Sequence, residues 1–269
     1  MNLDQHLENF KILEKMSEIK HKIIVISGKG GVGKTSVSVN LAKDLSSKVK
    51  KVGILDADIH GPNVAKMLGI EHLSMKNDES GLKPIKVTFN LIAVSLALMG
   101  YDTNQPFVWR GPMKANVIKQ LLENTNWGTL DYLIVDLPPG TGDEALSICQ
   151  LIPNITGAII VTTPQDVAIL DCKKSVRFIQ ELKIPIIGLI ENMSGFVCPH
   201  CQGETNIFKK GGGRKAAEEL NISFLGEVPF QPEFVNLGDS GTPFVSSKEK
   251  SKSADVFMAI VNKIGEFVK

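Results

Sequence analysis

Residues 28–35 have the types and spacing of a loop that binds phosphate groups. The segment GKGGVGKT follows the apolar run KIIVIS and fits the pattern G-x-x-x-x-G-K-[ST] in full. Small residues let the backbone wrap close to phosphate oxygens, so that successive N–H groups point inward. A helix that begins at the end of the loop adds a favourable partial charge. The predicted members of this nucleotide site are Gly28, Lys29, Gly30, Gly31, Val32, Gly33, Lys34 and Thr35.

Three side chains of the predicted site have roles that follow from phosphate chemistry. We expect Lys34 to reach the β- and γ-phosphates of a nucleoside triphosphate, and the Thr35 hydroxyl to bind Mg²⁺. The apolar run DYLIVD ends at Asp136, where a second carboxylate would hold the Mg²⁺ ion through water. A strand on one side and a helix on the other make a chance glycine loop a poor alternative.

A second group with metal-binding potential is the pair Cys198 and Cys201 in the segment GFVCPHCQGE. A redox dithiol is one interpretation, but such pairs follow a strand and start a helix, and the surrounding residues indicate a loop. A structural zinc site is another, but zinc takes four ligands and His200 lies between the two cysteines. The third is an iron–sulfur cluster shared by two copies of the chain, each supplying two thiolates of a Cys₄ set.

Alternating strand and helix patterns must position these groups. The predicted strands cover residues 22–27, 51–56, 90–96, 131–137, 157–163, 184–192 and 222–229. The predicted helices cover residues 34–47, 111–124, 142–150, 166–182, 211–220 and 252–268. Most of these strands are apolar on both faces, as in a sheet covered by helices on two sides. The alternation predicts an α/β fold with a doubly wound, mostly parallel sheet, and residues 70–90 are the least regular part.

Composition and charge exclude several other classes of protein. The chain has 269 residues, of which 43% are hydrophobic and 22% charged, and its formal net charge is +1. These values are ordinary for a globular protein and give no bulk charge that would favour a nucleic-acid partner. The sequence contains no apolar run long enough to span a membrane and no apolar core of a secretory signal. We therefore expect a cytoplasmic protein without a membrane or nucleic-acid partner.

The segment KGGVGKT resembles the deviant Walker A motif of the MinD, Mrp and nitrogenase-iron-protein group of P-loop ATPases. By that resemblance Lys29 is a catalytic charge that reaches across a dimer to the partner's nucleotide. In similar ATPases the second aspartate of the DAD segment orients the attacking water, which assigns that role to Asp58. Asn192 matches the adenine-contacting asparagine of MinD-like folds, and the sequence has no N-K-x-D tetrapeptide, so ATP is favoured over GTP.

Longer segments make the chain similar to the Mrp (ApbC-like) family of iron–sulfur cluster carrier ATPases. They are GKGGVGKTSVSVNLA, LDADIHGPNVAKMLG, VWRGPM, DYLIVDLPPGTGDEALS, TTPQDVAILDCKKS and GLIENMSGFVCPHC. The resemblance implies a homodimer that binds ATP and Mg²⁺ and holds a labile cluster, most simply [4Fe–4S], between Cys198 and Cys201 of two subunits. It also implies delivery of the cluster to apoproteins, with slow ATP hydrolysis coupled to loading or transfer.

The resemblance begins near residue 20, which predicts an N-terminal leader helix at 1–20 and a single P-loop ATPase domain at 21–269. The additional N-terminal domain or cysteine cluster of other family members is not expected here. The main alternative function is that of a MinD-like protein, which dimerises with ATP and recruits partners to a surface without metal chemistry. The helix at 252–268 would then be its anchor, but the mixed charge of its polar face favours docking onto the sheet.

Overall fold

A computed structural model describes most of the chain. The described residues are 3–79, 81–100, 111–198, 201, 203–246 and 252–269, and their side chains are described except at 3–9, 111–114, 197 and 252. Arg110 and His200, whose roles the sequence leaves open, lie outside the described residues.

Strands and helices alternate along the chain. The strands are β1 (Ile19–Ile26), β2 (Val52–Asp56), β3 (Lys76–Asp78), β4 (Gly81–Lys83), β5 (Ile85–Thr88), β6 (Leu91–Ser95), β7 (Leu130–Asp136), β8 (Gly157–Thr162), β9 (Ile186–Val197), β10 (Glu204–Thr205) and β11 (Phe224–Phe230). The helices are α1 (Leu3–Ser17), α2 (Lys34–Ser47), α3 (Val64–Met67), α4 (Gly111–Asn124), α5 (Asp143–Leu151), α6 (Asp166–Glu181), α7 (Gly212–Glu219), α8 (Pro232–Asp239) and α9 (Lys252–Phe267).

Over the described residues, the central sheet has nine strands in the order β10-β9-β8-β1-β7-β2-β6-β5, and β11 pairs with β9. All pairs are parallel except β5 with β6 and β10 with β9. From β1 the chain passes to β2, toward the β5 edge of the sheet, and later it passes from β7 to β8, toward the β10 edge. The sheet is therefore doubly wound around β1, and ligands of such sheets bind at the carboxyl ends of the strands.

The helices cover both faces of the sheet. Helix α2 contacts α3 and α9, whereas α4 contacts α1 and α5, and α6 contacts α7. Right-handed crossovers in opposite directions along the sheet place α2 on one face and α5 and α6 on the other. The predicted α/β fold, with a mostly parallel sheet and helices on both faces, is confirmed.

The leader helix α1 packs onto the sheet rather than standing apart from it. Its Ile12 and Met16 side chains are buried, and the buried Lys22 ammonium of β1 donates to the carbonyl oxygens of Met16 and Ile19 at 3.1 and 3.0 Å. Strand β1 begins at Ile19, before the predicted start. The division at residue 20 into a leader and a single ATPase domain stays a prediction.

Helix α9 packs onto β11 and α2. Its Phe257, Ile260, Val261 and Ile264 side chains are buried, and the Lys263 ammonium donates to the Leu225 carbonyl oxygen at 2.8 Å. The predicted docking of this helix onto the sheet is therefore observed. In the described part of the chain, no helix is long and apolar enough to cross a membrane.

Candidate functional site

The phosphate loop (residues 28–35) connects the end of β1 to the start of α2. Gly31 and Gly33 adopt left-handed backbone conformations with φ of 80° and 82°, which glycine tolerates better than any residue with a Cβ atom. Gly33 is also the residue that caps the N-terminus of α2. The loop therefore directs a helix N-terminus and its free N–H groups toward the carboxyl edge of the sheet, where an anion is stabilised.

A buried ion pair lies beneath the phosphate loop. The Lys34 ammonium lies 2.8 Å from Asp136 Oδ1, and the two side chains are 6% and 0% exposed. Among the described residues, Lys34 Nζ has no partner with hydrogen-bond geometry. A buried ammonium with unused donor capacity is costly unless a ligand accepts from it, and a phosphate oxygen is such an acceptor.

The Asp136 carboxylate is held in place by two hydroxyl groups. Thr35 Oγ1 donates to Asp136 Oδ2 and Ser38 Oγ donates to Asp136 Oδ1, both at 2.7 Å. A hydroxyl and a carboxylate at this distance are the hard oxygen ligands that Mg²⁺ takes, directly or through water, so the residues present fit the predicted ion. Ser38 was not predicted from the sequence, because a serine inside a helix carries no signal of its own.

Asp56, at the end of β2, anchors the loop that follows it. Its Oδ2 accepts from the Val64 amide and from Ser95 Oγ, each at 3.1 Å, and the side chain is fully buried. Burial, and then the neighbouring Asp136 carboxylate, raise the pKa of Asp56 to about 8. Asp56 is therefore protonated over much of the neutral range in the nucleotide-free protein.

Asp58 lies in the same loop and lines a cavity that the phosphate loop also borders. Its Oδ1 accepts from the Gly61 amide at 3.3 Å. Burial raises the pKa of Asp58, and the positive charge of Lys34 partly opposes this rise. The carboxyl group is thus placed beside the phosphate loop, as its predicted role requires.

The phosphate loop borders a cavity of about 460 Å³ whose lining combines charged and apolar groups. The loop backbone, Lys34, Thr35 and Asp58 supply polar and charged groups. The apolar side chains of the lining are Met67, Val228, Pro229, Phe230, Phe234, Val235, Phe244 and Phe257. This combination suits a nucleotide, whose phosphates are charged and whose base is a flat, weakly polar ring.

Asn192 contacts the phosphate loop directly. Its side-chain Nδ2 donates to the Val32 carbonyl oxygen at 2.9 Å, and a Cβ atom added to Gly33 would lie 2.1 Å from the same nitrogen. Asn192 also lines the nucleotide cavity. The structure therefore places it at the site, braced against the loop, while its predicted contact with adenine stays a prediction.

Cys198 and Cys201 lie at the turn of a hairpin formed by β9 and β10. Strand β9 is longer than predicted and continues to Val197, and the Cys198 amide donates to the Gly203 carbonyl oxygen at 3.0 Å. Cys198 is partly exposed and Cys201 exposed. Because a strand rather than a helix follows the pair, the context of a thioredoxin-like dithiol is not present.

All four cysteines lie within the described residues, and none is in a disulfide. Cys149 and Cys172 are buried, and burial raises the pKa of each thiol to about 12. Only Cys198 and Cys201 are thus accessible as metal ligands. The part of the chain that the structure describes contains no group of three or more metal-ligating side chains.

The nucleotide cavity and the cysteine pair are separate sites on one strand. Asn192 touches the phosphate loop, and Cys198 follows it six residues later, immediately after β9. At about 3.3 Å per residue these positions lie at most about 20 Å apart.

The fold and the phosphate-loop geometry define a P-loop nucleoside triphosphatase. A family model described as "ParA: NUBPL iron-transfer P-loop NTPase" matches residues 18–265. The chain therefore belongs to this family of NUBPL-type and Mrp-type P-loop NTPases, as the sequence segments predicted.

Similar proteins carry consistent names. The chain is 50% identical to an iron-sulfur cluster carrier protein of Methanocaldococcus jannaschii over 97% of this chain and 90% of that protein. It is 46% identical to a protein of the same name from Saccharolobus solfataricus, over 97% of this chain and 88% of that protein.

Solved structures share the fold. A nucleotide-binding protein of Archaeoglobus fulgidus in complex with ADP superposes with a TM-score of 0.77 at 34% identity, covering 87% of this chain and 92% of that one. The MinD protein of Pyrococcus horikoshii with Mg-ADP superposes with a TM-score of 0.68 at 23% identity, covering 91% and 95%. The second likeness concerns the fold alone.

Proposed function

We propose that this protein binds and hydrolyses ATP and carries an iron–sulfur cluster, which it holds between two copies of itself and delivers to apoproteins. The observation that supports this most directly is the exposed pair Cys198 and Cys201, carried by the same strand that contacts the phosphate loop. The family and the names of the relatives support the same cargo. We place this activity in the cytoplasm.

In the proposed ATPase cycle, each residue of the cavity acts on a defined part of the nucleotide. The phosphate loop backbone binds the phosphates, and Lys34 stabilises the charge of the β- and γ-phosphates. Thr35 and Asp136, whose side chains are hydrogen-bonded to each other, would hold the Mg²⁺ ion, which would neutralise charge on the phosphates. Asp58 orients the water molecule that attacks the γ-phosphorus, and the partner's Lys29 stabilises the charge that develops on the transferred group.

The proposed dimer follows from the incomplete metal site. An iron–sulfur cluster takes four thiolate ligands, and one chain exposes two. A two-fold axis that brings two hairpins together completes a Cys₄ set, and a [4Fe–4S] cluster is the form we favour. A cluster held by two ligands from each subunit is exposed at a subunit boundary, which suits its release to an acceptor. Slow hydrolysis, coupled to loading or to release, would time this step.

Anaerobic reconstitution with iron and sulfide tests the proposal. The Cys198→Ala/Cys201→Ala variant should bind no cluster, whereas a Cys149→Ala/Cys172→Ala variant keeps the exposed pair and should bind one cluster per two chains. Visible absorbance and iron content measure the result, and ATP binding should persist in the first variant because the two sites are separate. A cluster retained by the Cys198→Ala/Cys201→Ala variant would contradict the proposal.

The MinD-like alternative, recruitment to a surface without metal chemistry, has less support. Its anchor would be α9, but the apolar face of that helix is buried against β11 and α2. Co-sedimentation with vesicles in the presence of ATP separates the two functions. We expect the protein to remain in the supernatant.

A further inference from the structure

Strand β9 consists of two segments joined by a bulge. Val228 of β11 pairs with Asn192, but the next pair in the same ladder joins Phe230 to Phe196. Strand β9 therefore uses more residues than β11 over this interval, and residues 193–195 form the bulge. Met193 and Gly195 have left-handed φ angles of 56° and 73°. Bulges of this kind change the direction of a strand and re-aim what lies beyond them.

The inner end of the bulge belongs to the nucleotide site. Asn192, the residue before the bulge, donates to the carbonyl oxygen of Val32. Met193, the first residue of the bulge, lines the nucleotide cavity. The phosphate loop and the first residues of the bulge are therefore direct neighbours.

A buried carboxylate fixes the shape of the bulge. Glu191 is fully buried, and its Oε1 accepts from the hydroxyl of Ser194 at 2.5 Å and from the amide of Gly211 at 2.8 Å. Its Oε2 accepts from the amide of Gly213 in the first turn of α7. Since buried charge is tolerated only with such partners, this network holds β9, the bulge and α7 in one arrangement. Glu191 was not predicted as a functional residue, although a carboxylate inside the apolar run GLIEN is a signal of a buried polar role.

The outer end of the bulge continues into the antiparallel pairs Phe196–Thr205 and Val197–Glu204, and Cys198 and Cys201 lie between these two paired segments in the sequence. Phe196 pairs with Thr205, and its ring lies 6.1 Å from that of Phe230. Beneath the hairpin lies a second cavity of about 520 Å³, bordered by Ser194, Gly195 and Phe196. Pro229, Phe230 and Gln231 line both this cavity and the nucleotide cavity. The two cavities thus share part of their lining, and that shared part lies on β11 and the residue that follows it.

We propose that the bulge at residues 193–195 is a hinge through which the nucleotide cavity sets the orientation and exposure of Cys198 and Cys201. Asn192 transmits the position of the phosphate loop, and Ser194, held by Glu191, is a positioning residue. That this coupling would serve a cluster carrier rests on the proposed function. The coupling itself involves only the two thiols and the nucleotide of a single chain.

The rate at which iodoacetamide alkylates Cys198 and Cys201, followed by mass spectrometry in metal-free protein, measures the coupling. Saturating Mg-ADP should change this rate in the wild-type protein by about fivefold or more, a common size for coupling between two sites. In Gly195→Ala the change should fall below about twofold, because alanine disfavours the left-handed conformation on which the hinge depends. A Cβ atom at this position would have its nearest contact at 3.5 Å, so the substitution alters backbone preference and not packing.

Gly128→Ala is the matched control, since Gly128 has φ of 62° and no atom within 4 Å of an added Cβ atom. It should behave as the wild-type protein, and Ser194→Ala should lose the response as Gly195→Ala does. The proposal is overturned if ADP leaves the wild-type rate unchanged, or if Gly195→Ala and Ser194→Ala respond as strongly as Gly128→Ala. The alkylation assay contains no iron. If the protein failed to bind a cluster in the reconstitution experiment, the proposed cargo would be wrong, but the alkylation result would still stand.

Discussion

The side-chain amide of Asn192 and the backbone carbonyl of Val32, which are 160 residues apart in the sequence, are joined by a hydrogen bond of 2.9 Å. This contact gives Asn192 a role that does not depend on the base of the nucleotide. If it only braces the phosphate loop, its loss weakens every nucleotide equally. If it also contacts adenine, its loss weakens ATP more than GTP.

Substitution of Asn192 by alanine therefore distinguishes base recognition from support of the loop. We expect Asn192→Ala to reduce affinity for ATP by about tenfold, the effect of one hydrogen bond of about 1.5 kcal/mol, with a smaller loss for GTP. Calorimetric titration with both nucleotides measures the difference. Equal losses for ATP and GTP would show that Asn192 does not contact the base.

Substitution of the two lysines of the phosphate loop should affect nucleotide binding and turnover differently. Lys34→Ala removes the buried ammonium beside Asp136 and should weaken ATP binding by at least about tenfold, since hydrogen bonds to charged groups contribute about 1.5–3 kcal/mol. Lys29→Ala should leave binding nearly unchanged and lower turnover by at least about 100-fold, as removal of a trans-acting cation does. Binding titrations and phosphate release measure the two effects. Equal losses of binding would argue against a trans-acting Lys29.

Ser38 should contribute to stability because its hydroxyl is one of two that hold the buried Asp136 carboxylate. We expect Ser38→Ala to lower the free energy of unfolding by about 1–2 kcal/mol, the cost of a lost buried hydrogen bond. Urea denaturation measures this change. Ser147→Ala is the control, because the Ser147 hydroxyl also donates a hydrogen bond from within a helix, to the Asp143 carbonyl oxygen, but lies at the surface. This substitution should change the free energy of unfolding by less than about 0.5 kcal/mol.

The raised pKa of Asp56 predicts that the nucleotide-free protein loses stability as the pH rises. The folded protein keeps this proton up to about pH 8, whereas the unfolded chain releases it near the ordinary aspartate pKa of 3.8. The folded state therefore binds more protons between these values, and the contribution of Asp56 is lost progressively as pH rises through them. Urea denaturation at several pH values should show this slope in the wild-type protein and a flatter profile in Asp56→Asn. A wild-type profile parallel to that of Asp56→Asn would contradict the assignment.

The framework of the sheet could be predicted because its signals are local. The apolar runs that became β1, β2, β6, β7, β8, β9 and β11 lie close to their predicted positions. The short strands β3, β4 and β5 fall in the irregular stretch at 70–90, and with three, three and four residues they are too short for an alternating pattern to stand out. Helix α3, with four residues, is too short for a periodic pattern to be recognised, and the eight-residue helix α8 was not predicted either.

The part of the candidate site that belongs to a continuous sequence motif could be predicted. The part formed by residues that are distant in the sequence could not. The phosphate loop follows from eight consecutive residues, and Lys34 meets Asp136 because adjacent parallel strands end together. The contact of Asn192 with Val32 and the two hydroxyls around Asp136 depend on packing between distant elements. Spacing along the chain contains no information on such contacts until the topology is known.

Phe257 of α9 and Val32 of the phosphate loop border the same cavity. During synthesis, the phosphate loop leaves the ribosome long before α9 does. The nascent chain therefore has a phosphate-binding loop but lacks one wall of the cavity that this loop borders. We expect tight binding of ATP to begin only once α9 has left the ribosome and packed onto the sheet. Completion of the binding site would then be among the last steps of folding during synthesis.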